Sequence, residues 1–414
     1  MVYGVNEKPP INRLLLFSLQ ILLSVFTATV LIAQVCGVDT SGALLGAGLS
    51  TIIYLIVTKF KSPMFISNSG AFVAPVLAAL AIGGYSAVFV GGATSFVVYS
   101  IFGIIFSKVS IDKLYNVMPK VLIGSITVVI GINLMSFIPG YIGDTGNLGL
   151  AIALITVAAI AVSGHYFKGA ASMFPFLIGT LVGYIVSIPF GLVDFSKFQG
   201  ISIIKMPSVA FASFEHIDFR ATVPVIIMFA AFTVSAVCEC LSDHAALGSI
   251  IGVDLYQEPG LSRIFVGEGV ANLMSSLFGG LGACSYGEGV ATVGFSKCAS
   301  VYSVATAAVM MCLLSFLEPI QAFISSIPSC VIGGGTACVL YGFISSSGIK
   351  LLKDVDFNIQ KNLIICSVVL SIGISGVAFG NETISISGTA LALIAGIILN
   401  LILRNKRSEE EIAV

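Results

Sequence analysis

The sequence predicts an all-α polytopic membrane protein, on three observations. Hydrophobic residues fill 57% of the 414 positions and charged ones only 9%, with a mean hydropathy of +1.07; soluble domains carry about 25% charged residues. Apolar stretches of the ~20 residues that cross a bilayer as helix recur along the whole chain. Lysine and arginine gather on one side of those stretches, the asymmetry that orients membrane proteins. The net charge of −1 gives no reason to expect nucleic acid or an acidic partner.

The elements follow in order. Long apolar runs lie at about 14–36, 41–58, 84–107, 119–138, 147–164 and 172–194, with a shorter one at 65–82. A polar connection, 195–221, carries Lys197, Lys205, His216, Asp218 and Arg220. Further runs lie at about 222–247, 262–281, 299–317, 322–346, 361–379 and 385–403, with a second short one at 284–297. That makes fourteen segments, seven in 1–205 and seven in 206–414. An odd number of spans per half inverts the second half relative to the first. A cytoplasmic N-terminus puts Lys8, Arg13, Lys59, Lys61, Lys108, Lys113, Lys120, Lys168, Arg263, Lys297, Lys350, Lys353, Lys361, Arg404, Lys406 and Arg407 inside. Only Lys197, Lys205 and Arg220 fall outside, in a long connection where the positive-inside rule is weakest. Both termini are therefore expected in the cytoplasm and the chain in the cell (inner) membrane. Met1 to Arg13 is polar and lacks the apolar core and cleavage site of a signal peptide. The nine cysteines show no CxxC pair, as small buried hydrophobes would.

The two short segments occupy the same place, third, in each half. Residues 68–83 read NSGAFVAPVLAALAIG and 282–297 read GACSYGEGVATVGFSK. Sixteen helical residues span only about 24 Å, short of the ~30 Å core. Interrupted segments at matching positions of inverted halves point to a carrier's binding site, because irregular backbone at membrane depth must line a cavity and not lipid. Each is predicted to be a short extended strand followed by a half-helix. Their first amides, around Ala71 to Val73 and Gly287 to Gly289, would then meet near mid-membrane as donors.

Acids mark the same place. Glu239 lies inside an otherwise apolar run, Val223 to Leu247, and Glu288 lies in the second short segment. Intramembrane acids are costly and mark function. Backbone donors facing carboxylate acceptors suit a small planar molecule with both carbonyl and N–H groups, and repel an inorganic anion. Phe72 and Tyr286 could offer a flat ring an apolar face. Asp243, four residues after Glu239, shares its helical face; two carboxylates at that spacing push one pKa upward, a useful property for a proton carrier, unless Asp243 sits nearer the cytoplasmic end and contacts water. His244 is off that face and reads as a packing or solvent-facing residue; Glu268 reads as solvated near the inner end. No nucleophile–base pair, metal-ligand cluster or appended soluble domain marks the chain as an enzyme, and no cofactor is implied.

The chain resembles the nucleobase/ascorbate transporter family, and within it the bacterial uracil permeases. The resemblance rests on an ordered set: Gly4-Val5-Asn6-Glu7-Lys8-Pro9-Pro10, Val57-Thr58-Lys59, Asp254 with Pro259-Gly260-Leu261 and Arg263, Tyr286-Gly287-Glu288, Leu340-Tyr341-Gly342 and Ser347-Gly348-Ile349. It implies a core domain of segments 1–4 and 8–11, a gate domain of 5–7 and 12–14, homodimers, and proton symport by alternating access. It also implies that Glu239 and Glu288 hydrogen-bond the base, helped by the Gly287 amide and by Tyr286, with the amide site of segment 3 at Gly70. Departures are visible. Gly70 stands where uracil permeases usually carry Phe, Asp243 where they carry His, and Gly289-Val290-Ala291 where the family has Asn-x-Gly. Purine members tend to carry Gln at the position of Glu288, so uracil is favoured over xanthine or urate. A passive pore would want a continuous polar lining and an anion carrier would avoid the acids, leaving both as weaker alternatives.

Overall fold

The computed structural model describes residues 1–108, 116, 118–136, 138–143, 145–168, 175–214, 219–377, 379–380, 385–386 and 388–403; Lys113, His216, Asp218, Arg404, Lys406 and Arg407 lie outside the described residues. In an apolar medium a long stretch satisfies its backbone as helix, and the long runs are helical. They are α1 (Ile11–Val35), α2 (Thr40–Val57), α3 (Val73–Lys108), α4 (Lys120–Met135), α5 (Ile138–Gly143), α6 (Gly146–Tyr166), α7 (Pro175–Ser187) and α8 (Phe219–Ile251). After them come α9 (Leu261–Phe278), α10 (Gly287–Ser296), α11 (Val301–Leu314), α12 (Glu318–Ser326), α13 (Ala337–Leu352), α14 (Gln360–Ile374) and α15 (Gly388–Ile402). Six helical stretches among the described residues are long and apolar enough to cross a membrane, and four more apolar helices are shorter.

Local chemistry sets the boundaries. Asp39 starts α2 by accepting the Ser41 N–H at 2.8 Å, the usual work of an N-cap carboxylate. Gly83 and Gly84 break α3, Gly84 at φ +58°, where a side chain would be strained. The break falls between the predicted third and fourth segments. The predicted run 322–346 is not continuous. Ile327 is extended (ψ 124°) ahead of Pro328, and helix resumes through the turn 330–336, because proline disfavours helical backbone in the residue before it.

The chain divides into two compact units, Met1–Ser107 with Leu134–Tyr341, and Lys108–Asn133 with Gly342–Val414. In the first, α2 is packed through glycines. A Cβ at Gly46 would lie 2.9 Å from the Gly280 nitrogen, and one at Gly48 2.4 Å from Cys312 Sγ. In the second, a Cβ at Gly348 would lie 2.5 Å from the Gly124 carbonyl oxygen, and Asn133 Nδ2 donates to Gly373 O (2.9 Å) and Thr389 Oγ1 (3.0 Å).

Both short segments do begin extended. β1 (Ile66–Asn68) and β2 (Ala283–Ser285) pair antiparallel inside the first unit, with Ile66 opposite Ser285 and Asn68 opposite Ala283. A second small pair, β3 (Phe379–Gly380) and β4 (Ser385–Ile386), lies in the other unit.

Candidate functional site

A two-stranded ladder leaves two edges unpaired, and at membrane depth each bare N–H or C=O is costly. Side chains from neighbouring helices close those edges. Thr51 Oγ1 of α2 donates to Ile66 O (2.7 Å) and accepts from Ile66 N (3.0 Å) on the β1 side. On the β2 side, Asn272 of α9 gives Nδ2–H to Ala283 O (2.5 Å) and accepts from Ala283 N at Oδ1 (2.9 Å). One turn earlier, Glu268 Oε1 accepts the Ser285 N–H at 3.1 Å. Asn68 Oδ1 accepts from Leu281 N at 3.0 Å. Glu268 is therefore fully buried, not solvated as expected, because α9 packs on β2 and the Ser285 N–H takes its carboxylate. Asn272 was not singled out from the sequence. Its signal is the spacing of two polar side chains, Glu268 and Asn272, on one face of an apolar run.

The ladder aims both half-helices. After β1, Ser69 Oγ accepts the Ala71 N–H (3.2 Å) and donates to Glu239 Oε2 (3.1 Å). Phe72 N donates to Ser69 O (3.1 Å) and Val73 N to Gly70 O. The Ala71, Phe72 and Val73 amides, expected free, are thus used locally, since a serine cap followed by a tight turn takes up these donors. Phe72 is fully buried, stacked on Phe229 at 5.9 Å and 24° and pressed against Gly282. It packs the half-helix in place.

After β2 the arrangement differs. Tyr286 precedes α10 without a side-chain cap, and the Gly287 and Gly289 amides have no acceptor among the described residues. Gly287 is exposed, and a Cβ there would sit 3.6 Å from Asp243 Oδ1. Glu288 occupies the first turn, where a carboxylate complements the helix dipole. Glu239, Asp243 and Glu288 lie within electrostatic reach of one another. Asp243 Oδ2 is buried without a partner among the described residues. Tyr286 is buried, and Gly70 and Ala71 lie beneath the surface.

His244 is buried, not solvent-facing. Its Nε2 lies 2.6 Å from Tyr54 Oη and its Nδ1 2.7 Å from Cys240 O. A concavity of about 260 Å³ lies at the polar connection, between Asp39, Ser41, Lys205, Ser208 and Glu318, and none of Glu239, Asp243 and Glu288 lines it. There Lys205 pairs with Glu318 at 3.0 Å and Ser208 Oγ donates to Asp39 at 2.9 Å.

Comparison with known proteins places these features in a wider set. The profile of the permease family matches residues 12–382. The uracil permease of Bacillus caldolyticus is 34% identical, over 99% of this chain and 96% of that protein. The uracil permease of Escherichia coli (strain K12) is 32% identical, over 97% of this chain and 94% of that one. The putative pyrimidine permease RutG of the same strain is 26% identical, over 98% and 92%. Among solved structures, the transmembrane domain of the cyanobacterial bicarbonate transporter BicA superposes with a TM-score of 0.65 at 16% identity, over 97% of this chain and 100% of that one. SLC26A9 gives 0.66 at 13% identity, over 96% of this chain and 67% of that one. At such identities the likeness is one of fold alone.

Proposed function

The chain belongs to the permease family, and from that premise we propose that it carries a nucleobase, uracil, across the cell membrane by proton symport. The observation that carries this is the meeting of Ser69, Glu239 and the uncapped start of α10 where the paired strands end. Ser69 occupies Glu239 Oε2 and leaves Oε1 to accept ring N–H groups. The Gly287 and Gly289 amides supply donors for a ring carbonyl, with Glu288 as a second acceptor and Tyr286 behind it. Three clustered carboxylates disfavour an anion, although anion carriers share the fold. The uracil-permease names of the relatives support the same substrate.

In this proposal the fourteen segments form two inverted repeats. The core (segments 1–4 and 8–11) moves against the gate (5–7 and 12–14), and the protein works as a homodimer. Asp243, one turn from Glu239, takes the proton. Moving a neutral base uphill needs a second species, and paired acids at membrane depth can supply it.

Radiolabelled uptake into proteoliposomes tests the assignment. Uracil is expected to be accumulated under an imposed pH gradient and to be displaced by unlabelled uracil, not by xanthine, urate or sulfate. Asp243→Asn is expected to abolish accumulation while keeping exchange. Uptake driven by a sodium gradient alone would refute proton coupling, and displacement by xanthine or sulfate would refute the substrate.

A further inference from the structure

Behind the candidate site, α8 and α9 bring three side chains together that the proposed transport does not use. Cys240 and His244 are four residues apart on α8, hence on one face, and Glu268 faces them from α9. One ligand atom from each lies within 4.8 Å of the others, and all three residues are buried. Glu268 Oε1 is taken by the Ser285 N–H, while its Oε2 is buried with no hydrogen-bond partner among the described residues. That carboxylate lies beside the Cys240 thiol and the His244 imidazole, and the thiol is the donor that interacts with it. Cys240 Sγ is 3.5 Å from His244 Nδ1.

We propose that Cys240, His244 and Glu268 form a binding site for a divalent transition-metal ion of the zinc class, stapling α8 to α9 directly behind Glu239. The three donors, a thiolate sulfur, an imidazole nitrogen and a carboxylate oxygen, are each ligand types zinc takes, and three of them leave a fourth position open. Its charge balances as well. A thiolate and a carboxylate neutralise a dication, which an apolar interior otherwise excludes. The outer shell is in place. Tyr54 Oη donates to Ser62 Oγ (2.9 Å), so it can accept from His244 Nε2–H at 2.6 Å. In this structure Nδ1–H donates to Cys240 O at 2.7 Å; in the metal-bound form the proton would sit on Nε2, donating to Tyr54 Oη, and Nδ1 would turn to the ion, held from the other side of the ring as ligating histidines usually are. The ion would replace the contact Nδ1 now makes with Cys240 O, and the thiol proton leaves to water as the ion enters. A concavity of about 360 Å³, lined by Gly248, Gly252, Asp254 and Tyr256, adjoins His244, and neither Glu268 nor Cys240 lines it.

The test uses the full chain purified in detergent and the metal alone. Titration with Co²⁺ is expected to saturate at one ion per chain, with a thiolate-to-cobalt charge-transfer band and the visible bands of four-coordinate cobalt. Zn²⁺ should displace it and raise the melting temperature. Both signals should vanish in Cys240→Ser, and the melting shift should fall in Glu268→Gln. Should Cys240→Ser not fold, His244→Asn provides the same loss of the visible bands. Absence of a thiolate band in folded wild-type protein would overturn the site. So would a band that survives Cys240→Ser and is lost in Cys284→Ser.

Discussion

The two strand-to-helix breaks share an architecture and differ in what they leave open. At the first, Ser69 caps the turn, the Ala71 to Val73 amides are consumed, and Phe72 is locked against Phe229. At the second, no side chain caps α10, Gly287 is exposed, and an acid sits in the first turn. The Gly70 N–H, like those of Gly287 and Gly289, has no acceptor among the described residues, but Gly70 is buried and Gly287 exposed, so the two breaks differ in how accessible their open donors are. Among the described residues, the first break reaches the acids through the Ser69 hydroxyl on Glu239; in the proposed site that bond orients the acceptor, while the second break supplies exposed donors.

The largest effect expected from breaking this arrangement comes from the strand edge behind the open half. Asn272→Ala strips partners from both Ala283 N–H and C=O, at about 1–3 kcal/mol for each buried group. The melting temperature of the purified protein should drop and uracil binding should be lost with it. Wild-type stability in that variant would mean that β2 does not depend on α9.

Glu239→Gln keeps size and turns an acceptor into a donor, a mismatch of about 1–3 kcal/mol. Uracil binding measured by calorimetry should weaken at least about tenfold; an unchanged affinity in the folded variant removes Glu239 from the site. Ser69→Ala should cost about 1 kcal/mol as a lost cap and weaken binding about fivefold, because Glu239 loses its orienting donor. If Ser69→Ala alters stability and leaves affinity untouched, the two breaks are not coupled.

Labelling sharpens the comparison without large energies. Gly287→Cys should react with an impermeant thiol reagent and be protected by uracil, whereas Gly70→Cys, beneath the surface, should react slowly. Equal rates would erase the distinction between open and closed starts.

The smallest effect lies at the polar connection. Burial alone would raise the Asp39 carboxyl, but hydrogen bonds from Ser41 and Ser208 outweigh it and hold the group below the usual range. A lowered folded value stabilises at neutral pH and loses that contribution as pH falls through it. Asp39→Ala should therefore cost about 1 kcal/mol near pH 7, and the gap to wild type should close as the pH drops below about 4. A pH-independent gap would assign the loss to packing.

Much of this was legible in the chain. Glu239 and Glu288 stood out because a charge in an apolar run has no cheap explanation, and the Gly83–Gly84 break fell where two runs met. Other features were not. Glu268 looked like an end-of-helix acid, and nothing local says that β2 would take its oxygen. Phe72 looked like a platform until Phe229, far along the chain, proved to cover it. The run 322–346 looked unbroken because hydropathy does not register what Pro328 does to the residue before it.

The sequence by itself determined the solvent this protein lives in, the placing of its helical runs and the two short, glycine-rich interruptions with their acids. These depend on composition, length and local backbone preference, which a linear chain carries in full. The tertiary structure decided which amides stay open, which acid is buried, and which side chains close the edges of β1 and β2. Those outcomes depend on pairings between residues far apart in sequence, Thr51 with Ile66, Ser69 with Glu239 and Asn68 with Leu281. In a medium without water, a polar group's role is set by the partner that reaches it, and only the folded chain chooses that partner.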